Sequence, residues 1–411
     1  MRRTAAHVRP RLLAATVTFL LTIPAPADAQ IDLVDRGGLR IAVGGYARWL
    51  ALGHDPRSDV AGAGRSLFQA GVGRLRWTAR GGGWLVELHE RLGARWSSEP
   101  LVPTVLGFGV SAVPTRWDLE SVLVDRELLR VAHDVDRLAL TVYMPLADVT
   151  IGRQAVTWGW ATLFPVADLW SRFGPYELET EEKPGLDALR ALAYPAERLV
   201  LDLVAADRGA ARDASVGARL AVSLPSGDLY IAAAKLWREL VFIGGAALVL
   251  EEVKLRGEAV LPRGLDRGGW HRPRVTAGAD WVRGRWTLSG EFHYNGIGTD
   301  SFERYPAVLL DPRVARGESY FLGRWYAGAA GGWSVTDRLT LSASLLGNLL
   351  DPSASLSPVA TWDLGRRGRV SAGALLTAGE RPYGSKGSIP TLPSEFGAYG
   401  HLLFAQAGIY F

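Results

Sequence analysis

The chain has 411 residues, 48% of them hydrophobic, with 46 basic and 42 acidic side chains and no cysteine. Without cysteine it has neither disulfides nor thiolate metal sites, and its near balance of charge gives nucleic-acid binding no support. Beyond the first thirty residues no apolar run approaches the roughly 18 residues of a membrane-crossing helix, so the hydrophobic content must be spread over alternate positions.

Residues 1–29 read as a cleaved secretory signal peptide. Arg2, Arg3, Arg9 and Arg11 precede an apolar stretch from Leu12 to Ile23, and Ala27-Asp28-Ala29 is an A-x-A cleavage site. The stretch is shorter than the roughly 20 residues a spanning helix needs. No cysteine follows it that could carry a lipid anchor. Cleavage removes those arginines and Asp28, which leaves residues 30–411 close to neutral.

From residue 30 onward one unit recurs, an alternating strand followed by a turn. Glu252, Lys254, Arg256 and Glu258 fall on one face of their segment, Val253 and Leu255 on the other. Trp286, Leu288, Phe292 and Tyr294 likewise oppose Thr287, Ser289, Glu291 and His293. Successive side chains point to opposite sides of a strand, so each segment has an apolar and a polar face. Such segments lie near 39–52, 66–79, 84–91, 117–131, 137–144, 148–157 and 197–206, then at hairpin spacing to 399–411. The count comes to about eighteen, or sixteen if 119–130 is a helix, and bacterial single-chain barrels have even strand numbers.

Strand length, aromatic placement and loop rhythm favour a membrane barrel over a soluble sandwich. The segments run to about ten residues, the span of a tilted membrane strand. Trp49, Trp77, Trp84, Trp281, Trp286, Trp325 and Trp362 sit near segment ends, where an interfacial belt places them. Tight connections at 80–83, 225–228, 283–284, 336–337 and 365–368 alternate with long ones at 53–64, 92–116, 262–273, 296–318 and 379–397. Short periplasmic turns and long outer loops produce that rhythm. The expected fold is therefore all-β: a transmembrane antiparallel barrel of 16–18 strands over residues 30–411, its apolar face toward outer-membrane lipid.

The last segment alternates Leu403, Ala405, Ala407, Ile409 and Phe411 with Phe404, Gln406, Gly408 and Tyr410. A terminal strand ending in Phe resembles the C-terminal signature of bacterial outer-membrane proteins. The resemblance implies recognition of Phe411 by the barrel assembly machinery and a place in the outer membrane of a Gram-negative-type bacterium.

The repeat stops at 158–196, between the expected sixth and seventh strands. Long irregular segments in compact folds are usually functional. Strand parity puts this one at the periplasmic end, where a plain turn belongs, so it is expected to fold into the lumen. Phe164 to Phe173 reads as a short helix with Pro165 in its first turn. Trp158, Trp160, Asp168 and Trp170, with the acidic run Glu177, Glu179, Glu181 and Glu182, are candidates for a constriction. Arg153, Gln154, Lys183, Asp187 and Arg190 are available beside them, and charge clusters at constrictions are how pores select solutes. Equally, these charges pair with one another and hold the segment to the wall.

Gly152-Arg153-Gln154, then Trp158-Gly159, Pro165 and Asp168, and later Pro184-Gly185-Leu186-Asp187-Ala188-Leu189-Arg190, form a pattern that resembles the alginate-export-like and related porin-like families. That resemblance implies a monomeric barrel of sixteen to eighteen strands passing polysaccharide or small solutes.

The expected lumen wall carries Glu87, His89, Lys254, Arg256, Glu258, Glu291 and His293, along with Arg40, Arg48, Arg74, Arg76, Arg91, Asp280 and Arg285. Basic residues outnumber acidic ones, which favours polar or anionic solutes; cross-strand pairs stiffening the wall read equally well. The leading expectation is an outer-membrane pore or export channel for small polar or anionic solutes or polysaccharide. A closed barrel that binds or anchors at the cell surface is the alternative. A membrane-embedded hydrolase stands last: Glu87 with His89, and Glu291 with His293, are neighbours simply because a strand repeats every two residues. No catalytic residue, metal site or cofactor is expected.

Overall fold

The computed structural model describes residues 30–57, 64–99, 115–171, 182–266, 268–384 and 391–411. The expected signal peptide at 1–29, with Glu177, Glu179 and Glu181, lies outside these residues. Twenty strands join in one antiparallel sheet. The first seven are β1 (Ile31–Arg36), β2 (Leu39–Asp55), β3 (Ser66–Arg80), β4 (Trp84–Ser97), β5 (Glu120–Arg126), β6 (Leu129–Tyr143) and β7 (Ala147–Gln154). Then come β8 (Leu186–Ala196), β9 (Leu199–Ala206), β10 (Ser215–Leu224), β11 (Gly227–Leu236), β12 (Glu239–Leu250), β13 (Val253–Gly264) and β14 (Arg274–Arg283). The last are β15 (Trp286–Tyr294), β16 (Trp325–Ser334), β17 (Leu339–Asn348), β18 (Ser353–Leu364), β19 (Gly368–Ala378) and β20 (His401–Tyr410).

Eighteen strands close the barrel, with β20 paired to β2 from Tyr46–Tyr410 to Asp55–His401. Two short strands stand outside the ring. β1 pairs with the start of β2, on the edge that β20 takes further along. β5 pairs with the first part of β6, whose later part takes β7 on the same edge.

The strand count agrees with the sequence reading, but two strands differ. The expected strands 117–131 and 137–144 are instead the short β5 and one long β6, which pairs with β4 from Trp96–Leu129 to Trp84–Val142. A bulge explains the misreading: His89 pairs with Arg137 and Glu90 with Val135, so the alternation slips at Asp136. Residues 186–196, expected in the insert, form the wall strand β8. Its inward side opens with the buried Leu186 and Ala188, on which the insert packs, before Arg190, so the polar stripe that marks other strands is interrupted.

These differences reverse the polarity of the insert. Residues 155–185 follow the fifth ring strand and leave from the same end as the long connections 207–214, 265–273, 295–324 and 379–400. The insert therefore enters the lumen from the long-loop end, not the tight-turn end.

The two faces follow the alternation. Ile231, Leu255, Trp286, Leu288 and Phe292 are exposed on the outside, while Arg256, Glu258, Glu291 and His293 are buried inside. Trp286 and Trp333 stack on the outer surface with ring centroids 5.1 Å apart, in the aromatic band of a lipid-facing barrel.

Candidate functional site

The insert is held by its backbone. After β7 the chain runs inward, and no helix forms in the described part of the expected 164–173 stretch. Two wall carboxylates take its amides instead. Glu258 on β13 accepts from Trp160 N at 2.6 Å and Ala161 N at 2.9 Å. Glu291 on β15 accepts from Thr162 N at 2.6 Å, Leu163 N at 2.9 Å and Phe164 N at 2.8 Å. A buried amide without a partner costs about 1–3 kcal/mol, and here consecutive donors meet ionisable acceptors, the stronger kind of hydrogen bond. Each carboxylate has a further partner: Tyr230 Oη donates to Glu258 at 2.6 Å, and Arg256 Nη2 to Glu291 at 2.5 Å. Arg256 also pairs with Asp280. Lys254 stays exposed on the same face.

Aromatic rings fix the segment against β8–β17. Trp158 and Trp170 meet edge to face at 5.0 Å, and both are almost fully buried. Trp158 Nε1 donates to Asp202, which also accepts from Arg190 Nε at 2.9 Å and Nη2 at 2.8 Å. Trp160 packs edge-on against Tyr230 at 4.6 Å, with the Arg219 guanidinium over both rings. Phe164 stacks on His293, centroids 5.0 Å apart and planes 11° from parallel. Glycines in the wall make room. A Cβ at Gly217 would meet Trp158 at 2.9 Å and Trp170 at 3.0 Å; one at Gly328 would meet Leu163 at 2.9 Å.

Across the lumen a charged cluster faces the insert's far end. Arg74 on β3 pairs through both arms with Asp136, at 2.7 and 2.5 Å. Glu182 accepts from His89 Nδ1 at 2.8 Å, Arg74 Nη1 at 3.2 Å and Arg76 Nη1 at 3.4 Å. Burial works to raise the Glu182 carboxyl, but the His89 hydrogen bond and the charges of Arg74, His89 and Arg76 outweigh it and hold it at about 2. Arg137 donates to the Lys183 carbonyl at 2.6 Å, and the Lys183 ammonium pairs with Asp168 of the insert. Glu87 is half-buried on the lumen face of β4. Further round, Arg48 bonds Tyr410 Oη at 2.9 Å and lies over the Tyr46 ring at 5.2 Å.

Arg153, Gln154 and Asp187 line no constriction. Arg153 pairs with Asp187 through Nε at 2.8 Å and Nη2 at 3.1 Å, and donates to the carbonyls of Val135 and Trp117. It thus fills the gap on the β6 edge between β5 and β7. Gln154 donates to the carbonyls of Thr150 and Ala188. These residues seal the wall where the chain leaves it.

At the long-loop end, residues 295–324, 379–384 and 391–400 fold inward around Glu395, which sequence reasoning missed. It accepts from Leu322 N at 3.0 Å, Gly323 N at 3.4 Å, Asn348 Nδ2 at 2.9 Å, Tyr399 Oη at 3.3 Å and the Tyr326 hydroxyl. Burial outweighs these donors and, with Asp351 nearby, pushes its carboxyl up to about 7. Phe321, Phe396 and Tyr399 join Leu163 and Phe164 of the insert and Leu50, Leu52 and Phe68 of the wall in one apolar cluster. The only sequence signal was a lone acid in an otherwise uncharged run, Leu392-Pro393-Ser394-Glu395-Phe396. Among the described residues no three His, Asp or Glu side chains converge as metal ligands.

No known family model matches the chain, and no curated protein sequence matches it. Solved structures do. The crystal structure of Pseudomonas aeruginosa OccK5 (OpdH) superposes with a TM-score of 0.57 at 8% identity, covering 90% of this chain and 97% of that one. Acinetobacter baumannii OccAB2 gives 0.56 at 9% identity, covering 90% and 98%. Pseudomonas aeruginosa OpdK, solved with vanillate, gives 0.54 at 9% identity over the same shares. The barrel thus has the fold of these outer-membrane porins.

Proposed function

We propose that the protein is a non-enzymatic outer-membrane channel for small anionic solutes, which pass between the insert and the arginine-bearing wall of β2–β4. The observation that carries this is the asymmetry of the lumen. Beneath the insert most inward side chains of β9 and β11–β13 are buried, whereas Arg48, Arg76, Arg91 and Arg95 on β2–β4 stay half-buried. Positive charge along the side that the described part of the insert leaves open raises the local concentration of anions. A backbone pinned by Glu258 and Glu291 favours a small solute over a polysaccharide chain. The porin fold and the vanillate-bound neighbour, whose ligand is a small carboxylate, support the same reading.

Planar-bilayer recording in a salt gradient tests it: discrete channels with a reversal potential on the anion side are expected. Folded protein that carries no current favours a second reading, a closed surface-binding barrel. That reading draws on the apolar cluster joining both inward loops to the insert and the wall.

A further inference from the structure

Resting on the anionic-solute reading, we propose that Glu182 is a built-in stand-in for a solute carboxylate. It occupies an anion site made by Arg74, Arg76 and His89, and a passing carboxylate takes its place. The site belongs to the wall, not to the connection that fills it. Arg74 and Arg76 share the lumen face of β3, and His89 lies directly opposite Arg76 on β4. Arg74 keeps its position through its two-armed pair with Asp136, so the donors remain in place when Glu182 leaves.

Glu182 fits this site imperfectly. Its hydrogen bond to His89 is short, at 2.8 Å, but its contacts to Arg74 and Arg76 are longer, at 3.2 and 3.4 Å. A free carboxylate can rotate to meet a guanidinium with both oxygens, the geometry Arg74 already adopts with Asp136. Water reaches the site, since the side chains of Glu182 and Arg76 are 14% and 17% exposed. An internal occupant keeps these cations from holding any one anion tightly, and a solute must bind weakly enough to leave if it is to pass.

The test compares wild type with Glu182→Ala, Glu182→Gln and Arg76→Ala in planar bilayers, using potassium chloride and then acetate as probe. Each protein is first checked for the heat-modifiable gel mobility of a folded barrel. Both Glu182 variants should raise the chloride-over-potassium permeability ratio several-fold and let acetate block at lower concentration than in wild type. Arg76→Ala should lower the ratio. If neither Glu182 variant changes the ratio or the acetate block while Arg76→Ala lowers the ratio, Glu182 is only a structural tie. The stand-in role then falls and the channel reading survives. If Arg76→Ala is also without effect and the wild-type pore prefers cations, the anionic-solute reading fails instead.

Discussion

Phe164 hangs from Glu291: its amide donates to the carboxylate at 2.8 Å, while its ring lies flat on His293 two residues along the same strand. One strand thus grips both backbone and side chain of the insert. Replacing Glu291 with Gln leaves amides short of an acceptor and the buried Arg256 without its full partner. Breaking such a buried pair typically costs about 3–5 kcal/mol. Urea unfolding in detergent, followed by tryptophan fluorescence, should show a loss of that order, and the channel current should become noisier. Glu258→Gln should be milder, since the Tyr230 hydroxyl can still donate to the remaining side-chain oxygen.

Phe164→Ala separates the two grips. Truncating a buried Phe costs about 3–5 kcal/mol where the site cannot collapse. Rigid walls on β15 and β16 argue against collapse here, so unit conductance should rise as stability drops. A stability loss with unchanged conductance would place the ring away from the narrowest point.

Arg153 and Asp187 make a different prediction. They seal the wall, so Asp187→Asn should destabilise the barrel by about 3–5 kcal/mol through a stranded buried guanidinium. It should leave the anion-to-cation permeability ratio unchanged. A shifted ratio would return this pair to the lumen.

Glu395 and Glu182 respond to pH with opposite signs. Raised from 4.5 to about 7, Glu395 contributes stability in full below pH 4.5, and that contribution is lost as pH rises through 7. The swing is on the order of 3 kcal/mol. Hydrogen exchange at residues 319–324 and 391–400 should therefore quicken between about pH 4.5 and pH 7 beyond its intrinsic rate, the window set by this shift. Glu395→Gln should flatten that response. Held at about 2, Glu182 contributes stability above pH 4.5 that is lost only as pH falls toward 2. Its cluster should stay intact throughout the window in which the Glu395 loops loosen.

The barrel was legible because a wall strand between lipid and a wet lumen must alternate, and most of these strands do. Legibility failed where packing replaced solvent. β8 presents Leu186 and Ala188 to the insert rather than polar groups to water, so its period vanished and it was read as part of the insert. The bulge at Asp136 split β6 in two for a similar reason: one extra residue shifts every later side chain to the other face. Those local slips moved the insert to the wrong end of the barrel. Trp158, Trp160 and Trp170 stood out by residue type, and Glu258 and Glu291 as wall acids. Nothing local in the sequence tells an acid that binds backbone amides from one that faces a solute.

The division between the Glu258–Glu291 grip and the Arg74–Arg76–His89 cluster has an evolutionary corollary. On the proposed reading, the gauge of the passage is set by main chain fastened to β13 and β15, and its chemical taste by side chains on β3 and β4. Drift in one leaves the other untouched, so a descendant could exchange one cargo for another of the same size by rewriting two neighbouring strands.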